Sequence, residues 1–311
     1  MASTPELVVE PGAPIRERRA PSRRKKLVPY ALLAPGGLWL FVFFMLPVVL
    51  MLGTSLKSGG LLSGGGFQFT WEWSNYGDAL STNAQFFRRS LSYSAVVTVL
   101  GLLLMYPLAY WIAFYGGKWK SSLLLLMLLP FFVSFVIRTV QWKFILGDNN
   151  PYFFGFLKDL GVLPQDFHIL ATPWAVIAGI TYNYMPFTAL PLYVALERID
   201  KGLVEAAKDL YASKWAAFRK VVFPLSLPGV FAAFLLTFVP ATGDYVNSDI
   251  LGSAETFMIG QRIQTKFLTD LDYPAAAALS IILMIGMVIL ASIYARILGS
   301  EEAANVATGG V

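Results

Sequence analysis

Long uncharged stretches alternate with short charged ones along most of the chain. A helix needs about 20 apolar residues to cross the hydrocarbon core of a bilayer. Six windows meet or approach this length, and the third becomes a full crossing only if it extends to Leu146, with Arg138 and Lys143 near the membrane surface. The windows are residues 27–56, 90–117, 121–137, 167–196, 221–243 and 273–295. The pattern predicts an all-α membrane protein with six transmembrane helices.

Composition strengthens this prediction and excludes several other classes. Hydrophobic residues make up 56% of the 311 residues and charged residues only 14%, against roughly 25% charged in soluble domains. The mean hydropathy is +0.61, and a soluble fold could not keep so much apolar surface from water. There is no cysteine and a single histidine, His168. A disulfide framework and a thiolate or histidine metal site are therefore not expected.

Charge at the N-terminus indicates how the chain is oriented. Residues 1–26 contain seven lysines and arginines between residues 16 and 26, four prolines and little that could form a core. Basic residues beside a span stay in the cytoplasm, and six crossings place both termini on the same side. We expect a disordered basic cytoplasmic tail over 1–26, a six-span domain over 27–300, and a short C-terminal tail over 301–311. Such a charge run is usually topological, so nucleic-acid binding is not expected.

The connecting segments agree with cytoplasmic termini. Residues 116–120 and 198–220, on the predicted inner side, are rich in lysine and arginine. The predicted outer loops are less basic for their length and carry aromatic clusters. They are residues 57–89, 147–166 and 244–272. The glycine-rich stretch 58–66 is predicted to be a flexible part of the first outer loop.

Prolines occur inside the predicted spans. Each removes a backbone hydrogen bond and bends its helix. They either adjust packing in a helix bundle, where prolines are tolerated, or form hinges around a pathway, and both interpretations stay open. These prolines are Pro107, Pro130, Pro186, Pro191 and Pro240.

The segment between the fourth and fifth windows, residues 198–229, is too long for a simple connector between antiparallel helices. It is rich in alanine, and its apolar residues follow the i, i+3, i+4, i+7 spacing of a helix with one apolar face. Such a helix either rests on the membrane surface or docks on another protein, because alanines permit a close approach. The residues of this face are Leu203, Ala206, Ala207 and Leu210.

This segment resembles the EAA loop of permease subunits of bacterial ABC importers. The family pattern is E-A-A-x3-G-x9-I-x-L-P, and the chain keeps its spacing from Glu205 to Pro224, with Tyr211 at the position of the usual glycine. The resemblance implies a type I ABC importer permease (MetI-like) fold. It also implies that 198–229, called the coupling loop below, inserts into a groove on a separate ATPase. The residues implied in coupling are Glu205, Ala206, Ala207, Tyr211, Ala212, Val221 and Pro224.

The chain lacks a phosphate-binding loop of its own. Gly117-Lys118 is followed by Trp119 rather than Ser or Thr, and Ile112 takes the place of the first glycine. We therefore expect a permease component that is not an enzyme and binds no cofactor. ATP and magnesium would belong to the partner ATPase.

Three further stretches narrow the resemblance. Residues 135–150, 243–267 and 273–284 resemble the spermidine/putrescine importer permeases of the first of their two types, and the likeness extends over roughly 30–300. It implies a multi-pass protein of the bacterial inner membrane that transports polyamines. The implied partners are a cytoplasmic ABC ATPase dimer, a second permease subunit, an extracytoplasmic solute-binding protein and the lipid bilayer.

A polyamine is a flexible polycation, so carboxylates and aromatic faces should receive it. Asp244 could instead form a hydrogen bond at a helix end, and Tyr182 and Tyr184 could simply pack. Arg138 and Arg262 would repel a polycation, so we expect both to face structural partners or the binding protein. The candidate pathway residues are Asp244, Tyr245, Asp249, Trp142, Tyr184 and Tyr182.

Three alternative functions remain at this point. A permease for another small solute, such as sulfate, thiamine or ferric iron, would have the same architecture, although Asp244 and Asp249 disfavour an oxyanion. A secondary transporter or channel would need charges in mid-span, and the windows contain almost none. A membrane anchor without transport activity would leave the EAA motif unused.

Overall fold

The computed structural model describes residues 33–60, 66–147 and 154–308, with the backbone alone described for 297–308. The predicted disordered tail, 1–26, lies outside the described residues, as does part of the glycine-rich stretch. The chain divides into two compact units, Met1–Met51 and Leu52–Val311.

Helices dominate the described residues, as predicted. The helices are α1 (Leu33–Ser55), α2 (Ser74–Tyr115), α3 (Lys120–Leu128), α4 (Phe135–Leu146), α5 (Phe156–Asp159), α6 (Pro173–Glu197), α7 (Lys201–Asp209), α8 (Lys214–Ala217), α9 (Phe223–Thr242), α10 (Val246–Leu251), α11 (Ile259–Leu268) and α12 (Tyr273–Thr308). The strands are β1 (Lys57–Gly60) and β2 (Gly66–Phe69).

Within the described residues, four helices are long and apolar enough to cross a membrane. They are α1, α2, the continuous helical stretch Lys214–Thr242, and α12 over Tyr273–Arg296. A fifth crossing is present if the two halves of a bent helix pair form one span. These helices make the chain a multi-pass membrane protein, while the count of six crossings stays a prediction.

The predicted fourth crossing corresponds to α6, whose 25 residues reach about 37 Å at 1.5 Å per residue. It is not among the helices apolar enough to span by composition. Three prolines, three tyrosines and Asn183 lower its hydropathy, and its buried polar residues include Thr181, Asn183 and Thr188. Asn183 bonds to residues of α4 and α10 and Thr188 bonds to Thr237 of α9, so these side chains meet protein rather than lipid.

The third predicted crossing is broken rather than straight. Gly117–Phe132 and Phe135–Leu146 meet at an angle of 85°. Pro130 lies in a 3-10 turn that ends the first half, and Val133 and Ser134 are extended, with ψ of 144° and 135°. The extended pair interrupts the helical hydrogen bonds, so 121–146 cannot form a continuous helix.

The predicted first outer loop, 57–89, has more structure than its sequence indicated. β1 and β2 pair antiparallel, with Lys57 opposite Phe69. The side-chain amide of Asn75 donates to the carbonyls of Ser55 and Lys57, each at 2.9 Å. Helix α2 already begins at Ser74, so only a short segment separates it from the hairpin.

The core forms where α2, α6 and α9 cross. Small residues allow these helices to approach closely, as in other membrane bundles. A Cβ at Gly229 of α9 would overlap the Ala195 side chain and the Pro191 carbonyl oxygen of α6. A Cβ at Gly101 of α2 would lie 3.1 Å from the Thr188 hydroxyl. At the other end of the chain, α12 continues to Thr308, past the predicted domain end at residue 300.

Candidate functional site

The coupling loop folds as two short helices, and each has a side-chain cap. Asp200 accepts a hydrogen bond from the Gly202 amide (2.9 Å) at the start of α7. Ser213 accepts one from the Ala216 amide (3.2 Å) at the start of α8. Asp and Ser are preferred at this position because their oxygens satisfy amides left free at a helix N-terminus.

The bend between the two helices is centred on Tyr211, where the family usually has glycine. Tyr211 has φ +60°, in the left-handed region that favours glycine. Its amide donates to the Lys208 carbonyl (2.9 Å), and the Ala212 amide donates to the Ala207 carbonyl (3.1 Å). These are the two bonds of a Schellman motif. The Tyr211 side chain is 99% exposed.

A small set of apolar residues anchors the loop to the C-terminal end of α2. Val204 and Ala217 are buried in the same cluster as the α2 residue Ala113. The Phe218 ring packs edge-on against Tyr110 with centroids 5.7 Å apart. A cleft of about 180 Å³ lies between α2 and the loop. The charged residues at this cleft are Lys201, Glu205, Lys208 and Lys214.

The predicted apolar face of α7 is largely uncovered by the described part of the chain. Leu203 is 49% exposed and Leu210 82%, Ala206 is also exposed, and only Ala207 is half-buried. Trp215 of α8, the next helix along the chain, is 68% exposed. Exposed apolar residues clustered in this way indicate a surface that another molecule covers. The term coupling face is used below for Leu203, Ala206, Leu210 and Trp215.

The C-terminal part of the motif joins the loop to the next crossing. Val221 lies in a π-helical turn, Phe218–Val222, that runs directly into α9. Pro224 follows this turn as the second residue of α9, and it has no amide to donate to the preceding turn. The loop is therefore helically continuous with a membrane span on this side.

An ion pair joins the other side of the loop to the broken crossing. Glu197 is the last residue of α6, immediately before the coupling loop, and Lys120 is the first residue of α3. The Lys120 Nζ lies 2.7 Å from both carboxylate oxygens of Glu197.

Asp244, the central residue of the predicted pathway, lies between α9 and α10 and is 5% exposed. Its carboxylate accepts bonds from the Asn247 amide and from Asn247 Nδ2, each at 2.8 Å. Burial raises the pKa of the Asp244 carboxyl above its ordinary value, while the bonds from Asn247 lower it. The Tyr184 hydroxyl lies close to the same carboxylate. Asp244 thus holds the start of α10, as in the helix-end alternative, and is close to one predicted pathway tyrosine.

A buried polar network extends from Asn247. Its side-chain oxygen accepts from the Thr139 hydroxyl (3.2 Å) and from Asn183 Nδ2 (3.0 Å), and Asn183 Nδ2 also donates to Thr139 (2.9 Å). The three side chains connect α4, α6 and α10. Sequence reasoning did not select them, although a mid-span asparagine is costly in a membrane and was a usable signal.

Next to this network, aromatic rings enclose a cation. The Arg138 guanidinium carbon lies 4.6 Å from the ring centroid of Phe131, 5.9 Å from that of Phe135 and 6.0 Å from that of Tyr182. Trp142 contacts Tyr182 edge-on with centroids 5.2 Å apart. Two predicted pathway aromatics, Trp142 and Tyr182, are therefore in direct contact. We call Phe131, Phe135 and Tyr182 the aromatic cage.

The other predicted residues lie on or beside α10. Tyr245 is 45% exposed, and Asp249 accepts a bond from Gln261 Nε2 of α11 at 3.1 Å. As expected for a residue with structural partners, Arg262 donates from Nε to Asn83 Oδ1 at 3.1 Å. Across the residues described, no group of three or more His, Asp or Glu side chains could hold a metal ion.

Known proteins resemble the chain over most of its length. It is 37% identical over 259 residues to the spermidine/putrescine transport system permease protein PotB of Escherichia coli (strain K12), covering 83% of this chain and 93% of that protein. It is 36% identical over 259 residues to PotB of Haemophilus influenzae, covering 83% and 90%.

Solved structures show the same fold. A chain of a bacterial ABC transporter involved in the import of the acidic polysaccharide alginate matches with a TM-score of 0.62 and 18% identity. The match covers 89% of this chain and 98% of that chain. At this identity the likeness concerns the fold alone.

The family assignment rests on the whole membrane domain. Residues 28–300 match the family described as the binding-protein-dependent transport system inner membrane component. The chain belongs to this family, the membrane-embedded permease subunits of ABC importers.

Proposed function

We propose that this chain is the permease through which an ATP-driven importer takes up polyamines such as spermidine and putrescine. The substrate class is supported by the 37% identity, over 83% of the chain, to permeases named for these two solutes. The aromatic and acidic residues gathered around α4, α6 and α10 suit a cation with apolar methylene segments.

The exposed coupling face supports the proposal that another subunit supplies the energy for transport. Three large apolar side chains of this face are between 49% and 82% exposed on a segment that continues directly into α9. A separate ABC ATPase dimer covers this face, and the small Ala206 side chain lets the partner approach closely. Movement of the ATPases then shifts the loop and the spans attached to it. ATP drives transport only through the difference in ATPase binding to the outward-open and inward-open states.

The remaining features complete the importer. Six crossings with both termini in the cytoplasm place the coupling loop on the ATPase side of the membrane. A second permease subunit encloses the pathway together with this one, and an extracytoplasmic binding protein delivers the solute. This chain binds no cofactor, since ATP and magnesium are held by the ATPase.

The proposal is tested by uptake in proteoliposomes that contain the chain with its ATPase, its second permease and its binding protein. We expect ATP-dependent accumulation of labelled spermidine that unlabelled putrescine inhibits and that sulfate, thiamine and ferric iron do not. ATP-driven accumulation of one of those three solutes, without spermidine uptake, would refute the polyamine assignment. Uptake driven by a proton or sodium gradient without ATP would refute the ABC mechanism.

Variants of the loop test the coupling role separately. Glu205→Lys and Ala206→Trp should each reduce spermidine uptake at least about tenfold. The first adds a fourth cation to the three lysines of the cleft beneath the loop, and the second puts a bulky ring on the coupling face, which costs a few kcal/mol. Glu205→Gln and Ala206→Ser, which keep size, serve as matched controls and should retain most activity. All four chains should insert in the membrane normally. Wild-type uptake by both disruptive variants would show that the loop does not couple the subunits.

A further inference from the structure

Arg138 is half-buried, and its guanidinium has unusual surroundings for a cation. Its Nε and Nη1 atoms are buried, and neither has a hydrogen-bond partner among the residues the structure describes. Buried donors are nearly always paired, and an unpaired one calls for an explanation. The near neighbours of this charge are the three rings of the aromatic cage, the closest being Phe131 at 4.6 Å.

The aromatic cage suits cations in general rather than arginine in particular. Aromatic faces attract a cation through the ring quadrupole, and groups of them recognise alkylammonium ligands. A carboxylate or a bidentate acceptor would select a guanidinium, but Nε and Nη1 meet none in the described part of the chain. An ammonium group of similar size could therefore replace the guanidinium and make the same contacts.

We propose that the aromatic cage is a binding site for an ammonium group of the transported cation, and that Arg138 occupies it when the substrate is absent. The inference rests on the proposed function, because it requires an organic cation as substrate. Arg138 can leave without breaking a hydrogen bond at Nε or Nη1, and its unpaired donors gain partners once they reach water. The incoming ammonium restores the contacts with the rings.

The cage is built from residues on both sides of the helix break and from α6, so its occupancy depends on the bend between the two half-helices. Phe131 lies before the break at Val133 and Ser134, and Phe135 and Arg138 lie after it. Tyr182 is contributed by α6. The cage therefore exists only while the two half-helices keep their 85° bend. A change of the bend during transport opens the cage and releases the cation.

The test measures binding of labelled spermidine to the complex of this chain with its second permease and its ATPase in lipid nanodiscs, without the binding protein. Arg138→Met removes the resident cation and keeps a long side chain. We expect it to tighten spermidine binding by about tenfold, because a competitor for the site is gone. Arg138→Lys, which keeps a cation, should bind spermidine nearly as the wild type does.

A second pair of variants examines the rings with Arg138 in place. Tyr182→Leu should weaken spermidine binding severalfold, whereas Tyr182→Phe keeps the aromatic face and should not. In the double variant Arg138→Met with Tyr182→Leu, most of the gain should be lost. The two Tyr182 variants test whether the cage binds the substrate even if Arg138→Met prevents assembly of the complex.

Two results overturn the inference alone. One is unchanged or weaker binding by Arg138→Met in a complex that assembles normally, and the other is wild-type binding by Tyr182→Leu. In either case spermidine uptake by the wild-type importer leaves the proposed function standing. If the wild-type importer accumulates another solute with ATP and neither binds nor transports spermidine, the proposed function fails and this inference fails with it.

Discussion

Tyr211 shows how one residue can depart from a family pattern while the backbone keeps its path. It adopts the left-handed conformation at φ +60°, and two hydrogen bonds close the bend around it. The conformation costs a residue with a Cβ roughly 1–2 kcal/mol. The side chain is 99% exposed, so no packing within the described chain offsets this cost. The loop is therefore held in place by its caps and by Val204 and Ala217 beneath it.

Replacing Tyr211 separates backbone strain from the loss of the ring. Tyr211→Gly removes both the ring and the Cβ, whereas Tyr211→Ala removes the ring and keeps the Cβ. We expect the glycine variant to be more stable than the alanine variant by about 1 kcal/mol, because only glycine adopts this φ without strain. Thermal unfolding of the two purified variants in the same detergent measures the difference. Equal unfolding temperatures would mean that the bend relaxes to another conformation.

At the residue scale, sequence reasoning found the residues of local motifs and missed the residues of tertiary networks. The spacing from Glu205 to Pro224 can be read along the chain, so the sequence predicts a helical loop there, and the structure has α7 and α8 in this segment. Thr139, Asn183 and Asn247 are far apart in sequence and meet only when α4, α6 and α10 pack together. Neither spacing nor composition predicts that meeting.

At the scale of helices, the coupling loop is connected to helical elements at both of its ends. The π-helical turn Phe218–Val222 connects it to α9. On the other side, Glu197 precedes it and pairs with Lys120 at the start of the broken crossing. In the proposed coupling, a push on the loop reaches α6 and α9 through the backbone and the broken crossing through an ion pair. The ion pair is partly exposed, with side-chain exposures of 19% and 39%, so its contribution to stability is small.

The ion pair predicts a specific effect on coupling. Lys120→Glu and Glu197→Lys each place like charges together and should lower the number of spermidine molecules taken up per ATP hydrolysed. The double variant restores opposite charges and should recover most of the wild-type ratio. Uptake and ATP hydrolysis are measured on the same proteoliposomes. A double variant as impaired as the single ones would show that the residues act independently.

Sequence windows located most crossings but not their internal shape. The length of an uncharged stretch can be read from composition alone, so the sequence windows find α9 and α12 directly. It does not detect the 85° bend near Pro130, which depends on two extended residues after the proline. It also placed the start of the second helix at residue 90, whereas α2 begins at Ser74. The turns of α2 before residue 90 contain charged residues, so they fall outside the uncharged window.

For the whole molecule, the proposed arrangement is six crossings with the coupling loop and both termini in the cytoplasm. Four described helices qualify as spans by length and composition, or five with the bent pair. In the proposed arrangement α6 is the sixth crossing, and its buried polar side chains bond to other helices, Asn183 to α4 and α10 and Thr188 to α9. In this proposal, the basic residues of the N-terminal tail and of the coupling loop keep both segments in the cytoplasm.

Because the chain contains no cysteine, single cysteines can report this topology without background. Lys208→Cys lies in the coupling loop and Asp159→Cys in the segment between the third and fourth proposed crossings. A membrane-impermeant maleimide added to intact spheroplasts should label the second and not the first. Both should react after the membrane is permeabilised with detergent. Labelling of Lys208→Cys in intact spheroplasts would reverse the proposed orientation.

The uncovered coupling face also affects the fate of the chain before assembly. The coupling face exposes three large apolar side chains on a segment that faces the cytosol in the proposed topology, namely Leu203, Leu210 and Trp215. A permease made in excess of its ATPase would display this patch to chaperones and to quality-control proteases. Permease in excess of its ATPase would then be open to degradation as an orphan subunit.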